Sequence, residues 1–136
     1  MVVDTHVLIW AVQGDGRLGQ TARRLIDEAA TAGELQVPAI TPWEIAVLAQ
    51  RGRLALGRDV GAWLEDVLSL PGIRLSPLAP AICVESVRLP GDLHGDPADR
   101  LIIATARHAG LPLMTADRAI LAYAAAGHVR IIDASR

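Results

Sequence analysis

Short apolar runs alternate with longer segments of helical period along the whole chain. MVV, LQVPAI, GIRLSPL, PLMT and HVRIID read as strands, each set off by turn-forming or polar residues. Between them, seven segments read as helices: THVLIWAV, Gln20 to Ala32, TPWEIAVLAQRG, DVGAWLEDVLSL, APAICVESVRL, Pro97 to His108 and ADRAILAYAAA. In the second of these, Ala22, Leu25, Ile26 and Ala29 recur at helical spacing and make one apolar stripe. Gly52 and Gly110 follow the last periodic residues of two helices, where a glycine stop is expected. This alternation predicts an α/β fold, a parallel β-sheet flanked by helices on both faces. At 136 residues, 51% of them hydrophobic, the chain supports one core, so residues 1–136 are read as a single domain.

Composition removes several function classes. The apolar runs stop short of the about 18 residues that a membrane span needs, and MVVDTH carries no charged leader region. A cytoplasmic protein without a membrane segment is expected. The net charge of -2 supplies no long-range attraction to nucleic acid, so such a partner has to be held by a local patch. All 13 basic residues are arginine. Phosphoaspartate receivers and haloacid-dehalogenase-like phosphatases use a lysine near the phosphoryl group, and DTHVL also lacks the second aspartate of the latter. No G-x-x-x-x-G-K-[ST] is present for a P-loop enzyme. The aromatic residues are Trp10, Trp43, Trp63 and Tyr123, and the tryptophans fall in apolar helical stretches that assign them to core or interface. A base-stacking platform is not expected. Cys83, in AICVESV, reads as a small core residue.

The acids carry the chemistry. TPWE (41–44) and DPAD (96–99) share one grammar: a capping residue, a proline suited to the first helical position, a spacer, and an acid three residues after the cap. Asp117 follows the strand PLMT by a single turn, and Asp4 ends the first strand. Asp4, Glu44, Asp99 and Asp117 therefore all lie where a strand or loop passes into a helix N-terminus. In a parallel sheet such positions gather along one edge, where open α/β sheets bind ligands. Carboxylates meeting there repel by roughly 4 kcal/mol per pair at 4 Å and an effective dielectric of 20, so the cluster needs a cation. Oxygen-only ligands favour Mg²⁺ or Mn²⁺.

Each acid also has an ordinary structural reason. Glu44 completes a T-x-x-E capping box with Thr41, Asp96 is a good N-cap, and Asp99 and Asp117 sit in first turns favoured by the helix dipole. Arg100 and Arg118 fit that account badly, since a cation there opposes the dipole; an arginine beside a metal-binding acid can meet a phosphate. Thr5 and Thr115 neighbour Asp4 and Asp117 and can hydrogen-bond near a metal or cap a helix. His94 reads as an exposed loop histidine, with a ligand or proton-shuttle role as the alternative. His6, His108 and His128 show no zinc-type spacing.

With VVDTHVLIW at the start, TPWEIAVL in the middle, HGDPADRLIIATA, and MTADRAI near the end, the chain resembles the PIN-domain ribonucleases, specifically the VapC-type toxins of bacterial toxin–antitoxin pairs. The four pieces occur in the family's order and span nearly the whole chain. The resemblance implies that Asp4, Glu44, Asp99 and Asp117 are acidic metal ligands, with Asp96 a second-tier acid and Thr115 a supporting hydroxyl. It further implies a three-layer fold, a homodimer, an RNA substrate and a cognate VapB-type antitoxin that covers the acidic cleft. The competing expectation is a non-catalytic RNA- or protein-binding module whose acids only cap helices. Site-specific divalent-ion binding separates the two.

Overall fold

A computed structural model describes all 136 residues. The elements in chain order are β1 (Val2–Val3), α1 (Thr5–Gln13), α2 (Gln20–Thr31), β2 (Leu35–Pro38), α3 (Thr41–Gln50) and α4 (Val60–Leu68). They continue with β3 (Ile73–Ser76), α5 (Pro80–Val87), α6 (Pro97–Ala109), β4 (Leu113–Thr115), α7 (Arg118–Ala124) and β5 (Ile131–Asp133). Every predicted strand and helix is present, mostly trimmed by a residue or two at the ends. The five strands form one wholly parallel sheet in the order β3-β2-β1-β4-β5.

Side chains alternate across this sheet and divide the core in two. Val3, Val37 and Met114 pack with α1 to α4, through Val7, Ile26, Ile45 and Trp63. Val2 and Leu113 face the other way, onto Ile82 of α5, Ile102 and Ile103 of α6, and Ile120 of α7. The register follows the alternation, with Val2 opposite Leu113 and Val3 opposite Met114. The resulting architecture is helix, sheet, helix in three layers. Right-handed crossovers explain it: progress from β1 to β3 puts helices on one face, and the return to β4 and β5 puts them on the other. Strand order therefore reverses between β1 and β4, which defines a switch point at the carboxyl edge of the sheet. No helix is long and apolar enough to cross a membrane.

One expectation about packing is corrected, and another, that Trp43 lies in core or interface, loses its core alternative. Cys83 is exposed rather than in the core. On α5 the buried positions are Ile82 and Ser86, and a one-residue step of about 100° carries Cys83 off that face. Trp43 is 59% exposed, whereas Trp63 is buried. On α3 the core-facing positions are Thr41 and Ile45, so Trp43 points between them toward solvent.

The turn into β3 requires a glycine. Gly72 has φ +83°, and a Cβ there would lie 1.7 Å from the main-chain oxygen of Ala30. Gly72→Ala is expected to destabilise the protein by about 1–3 kcal/mol, combining a left-handed backbone with a main-chain clash. Urea unfolding checks this; an unchanged midpoint would mean that the turn rearranges freely.

Candidate active site

The site is built at the switch point. Asp4 follows β1 directly and is the N-cap of α1, with Oδ1 accepting from the Thr5 amide at 2.8 Å. Its Oδ2 accepts from Thr115 Oγ1 at 2.7 Å. Thr115 is the last residue of β4, so this bond ties the carboxyl ends of the two strands that flank the reversal. Thr115 Oγ1 in turn accepts from the Asp117 amide at 3.0 Å, and Asp117 caps α7 through Ile120 N–H. Asp4 and Thr115 are both buried. Each carboxylate oxygen retains acceptor capacity beyond the bonds it makes.

Glu44 comes from α3. The expected capping box does not form: Ile40 is the N-cap residue, without a side-chain cap, and Thr41 is already the first helical residue. Its hydroxyl lies fully buried, 3.0 Å from Thr5 Oγ1, and Thr5 Oγ1 donates to Glu44 Oε1 at 2.5 Å. Each hydroxyl has one proton, so Thr41 donates to Thr5 and Thr5 to Glu44. The threonine read as a cap is the start of a relay that orients the acid. Desolvation raises the Glu44 carboxyl, the Thr5 hydrogen bond partly opposes this, and Asp4 and Asp96 add to the rise.

Asp96 and Asp99 differ in their partners, and Asp96 is the N-cap that the sequence suggests. It caps α6 by accepting from the Ala98 and Asp99 amides. Asp99, in the first turn, accepts no main-chain hydrogen bond. Its carboxyl is pushed up to about 7, first by burial and then by the charges of Asp96, Asp4, Asp117 and Glu44. That list of neighbours is the predicted cluster. α6 reaches it from α5 and a loop rather than from a strand.

Two histidines border the acids: His6, which the sequence reading does not place there, and His94, for which a ligand or proton-shuttle role is the alternative to an exposed loop. His6 Nε2 accepts from the Ala116 amide, which leaves the ring proton on Nδ1, 3.6 Å from Asp4 Oδ2. His94 Nδ1 accepts from the Asp96 amide, which leaves the proton on Nε2, 3.2 Å from Asp99 Oδ2. The arginines separate. Arg100 gives Nε to the Ser86 carbonyl and Nη1 to those of Leu93 and His94, so it anchors the loop before α6. Arg118 is exposed, with no side-chain hydrogen bond or ion pair.

The donor set is one of hard oxygens, whose mutual repulsion a cation bound among them would relieve. As they stand, no three or more of these carboxylates and histidines are drawn together closely enough to hold one ion. A hard divalent ion that keeps much of its water needs only one or two carboxylates directly.

A PIN-domain family model matches residues 1–126. Ribonuclease VapC22 of Mycobacterium tuberculosis is 37% identical over 118 residues, 87% of each chain. The fold is similar to that of a chain in the crystal structure of VapBC2 from Rickettsia felis bound to a DNA fragment from their promoter, with TM-score 0.69, 12% identity and 96% of each chain covered. It is also similar to a chain of a toxin-antitoxin complex from Klebsiella pneumoniae, with TM-score 0.61, 18% identity, and 97% of this chain and 95% of that chain covered. A chain of FitAB bound to the IR36 DNA fragment gives TM-score 0.63 at 19% identity, over 99% of this chain and 95% of that one. From the family model and the VapC22 identity together, the chain belongs to the PIN-domain family.

Proposed function

We propose that this protein is a divalent-metal-dependent endoribonuclease, the toxin of a toxin–antitoxin pair, restrained by a VapB-type antitoxin. Asp4, Glu44, Asp99 and Asp117 hold the ion, with Asp96 supporting it, and Mg²⁺ or Mn²⁺ suits their oxygens. When bound, the ion supplies water activation and charge stabilisation at the phosphodiester. Thr115 keeps Asp4 aimed into the cleft, and the Thr41–Thr5 pair does the same for Glu44. Arg118, free of internal partners, is available to a substrate phosphate. The relative's printed name supports the ribonuclease reading, and the paired complexes support the antitoxin.

The observation that carries the proposal is Asp99. A carboxylate kept only to cap a helix accepts amide hydrogen bonds, which lower its pKa; Asp99 accepts none and is raised first by burial and then by four neighbouring acids. A purely structural role for the cluster accounts for Asp4, Asp96 and Asp117, which do cap helices, but not for Asp99 or Glu44. The test is cleavage of a structured RNA pool against Mn²⁺ concentration, with excess chelator as control. Cleavage that rises with Mn²⁺ and stops with chelator is expected. A folded protein that binds no divalent ion and cleaves nothing would return the chain to the binding-module reading.

A further inference from the structure

Trp43 stands exposed on α3, one residue before Glu44. With Glu44, Val47, Arg51 and Asp96 it lines an open groove of about 470 Å³ between α3 and the start of α6. Trp43, Val47 and Arg51 recur every four residues and so form one ridge. Along α3 the groove runs from an acidic end, where Trp43 stands beside Glu44 and Asp96, past the aliphatic Val47 and Leu48 to a basic end at Arg51. Arg51 is exposed and its guanidinium has no hydrogen bond or ion pair; neither has that of Arg53, two residues on. The Trp43 indole also lacks an internal partner. Trp10, by contrast, is covered by the His6 ring at 4.8 Å and the Arg17 guanidinium at 4.8 Å.

The exposure of Trp43 reopens what the scarcity of aromatic residues argues against: we propose that Trp43 is a stacking platform for a nucleobase of the substrate strand beside the scissile phosphodiester, with Arg51 meeting a neighbouring phosphate. The inference rests on the ribonuclease reading above and adds a specificity-determining residue to it. Charge chooses this occupant. The acidic end repels a nucleic acid backbone unless a cation intervenes, so the free arginine farther along the same ridge supplies the attraction that the net charge of -2 does not. An exposed indole accepts the face of any unpaired base, and its strength depends on the size of that base. A duplex keeps its bases stacked inside and has none to offer, so single-stranded segments are favoured.

The experiment compares wild type, Trp43→Ala, Trp43→Phe and Arg51→Gln in Mn²⁺, on short single-stranded A, C, G and U homopolymers and on a duplex. Trp43→Ala is expected to raise KM about tenfold or more with a smaller change in kcat, and to flatten the preference among bases. Trp43→Phe should recover most of the loss, and Arg51→Gln should raise KM while weakening its salt dependence. Quenching of indole fluorescence by the same oligonucleotides, with Trp43→Phe as the blank, reads binding without cleavage. Cleavage in which Trp43→Ala leaves KM and base preference unchanged would overturn the platform and leave the ribonuclease reading intact. Trp43-dependent quenching without cleavage by wild type would support the platform and sink the ribonuclease reading; neither signal would sink both. Quenching by an apolar peptide but by no oligonucleotide would assign the groove to a protein partner and overturn the proposal.

Discussion

Asp99→Asn is expected to abolish RNA cleavage, by on the order of 10³-fold or more, while making the metal-free protein more stable above neutral pH. Both effects come from the burial of this carboxyl among other acids. The Asp99 carboxyl is raised from an ordinary 3.8 to about 7, so the native state holds a proton that the unfolded chain has already released. Stability from this group is therefore fully present below about pH 4, falls as pH rises, and is lost once pH passes about 7. Asparagine is nearly isosteric and carries no charge, so the variant's melting temperature should change less with pH. The two curves should converge near pH 4 and separate toward pH 8. Added Mn²⁺ should raise the wild-type melting temperature most at high pH, since an ion that binds only the native state stabilises it by about 2.7 kcal/mol at 100 times Kd. Parallel curves with and without Asp99 would show that the carboxylate stands outside the repulsive cluster.

Thr115→Val is expected to cost about 1–3 kcal/mol of stability and to lower kcat about 10- to 100-fold. Valine matches the shape but removes both hydrogen bonds of a fully buried hydroxyl: the one donated to Asp4 Oδ2 and the one accepted from the Asp117 amide. The first loss leaves a buried carboxylate under-satisfied and free to turn from the cleft. The second leaves the entry to α7 without its local tie. Thr115→Ser restores the hydroxyl and should recover most activity, although a small cavity remains. Chemical denaturation and single-turnover kinetics on the three proteins check the pair of effects. A valine variant with wild-type kcat would mean that Asp4 needs no orientation from β4.

The helices and strands were legible because their signals are local. Asp96 caps α6 through amides two and three residues on, and Gly110 ends the same helix with φ +66°. The same local grammar misled at Thr41. T-x-x-E is a capping box only when the threonine stands outside the helix, and β2 delivers the chain so that Thr41 is already inside, its hydroxyl against Thr5, 36 residues away. Apolar neighbours suggest the core for Cys83, and core or interface for Trp43. Which side of a helix is covered depends on the layer packed against it, and neither the spacing of α3 nor that of α5 states that alone.

The acids show the same division at the scale of function. By itself the sequence determined that acids stand at the starts of helices following strands or loops, that no lysine accompanies them, and that their ligand atoms are oxygens. It determined these things because residue identity and short-range backbone preference suffice for them. Only the tertiary structure decided that Asp4, Glu44, Asp96, Asp99 and Asp117 act on one another. That outcome depends on the reversal of strand order between β1 and β4 and on the return of α6 to the carboxyl edge of the sheet. It also depends on a hydrogen bond between residues 4 and 115. Each of these is a contact between distant parts of the chain, made when the sheet assembles and its two faces are covered.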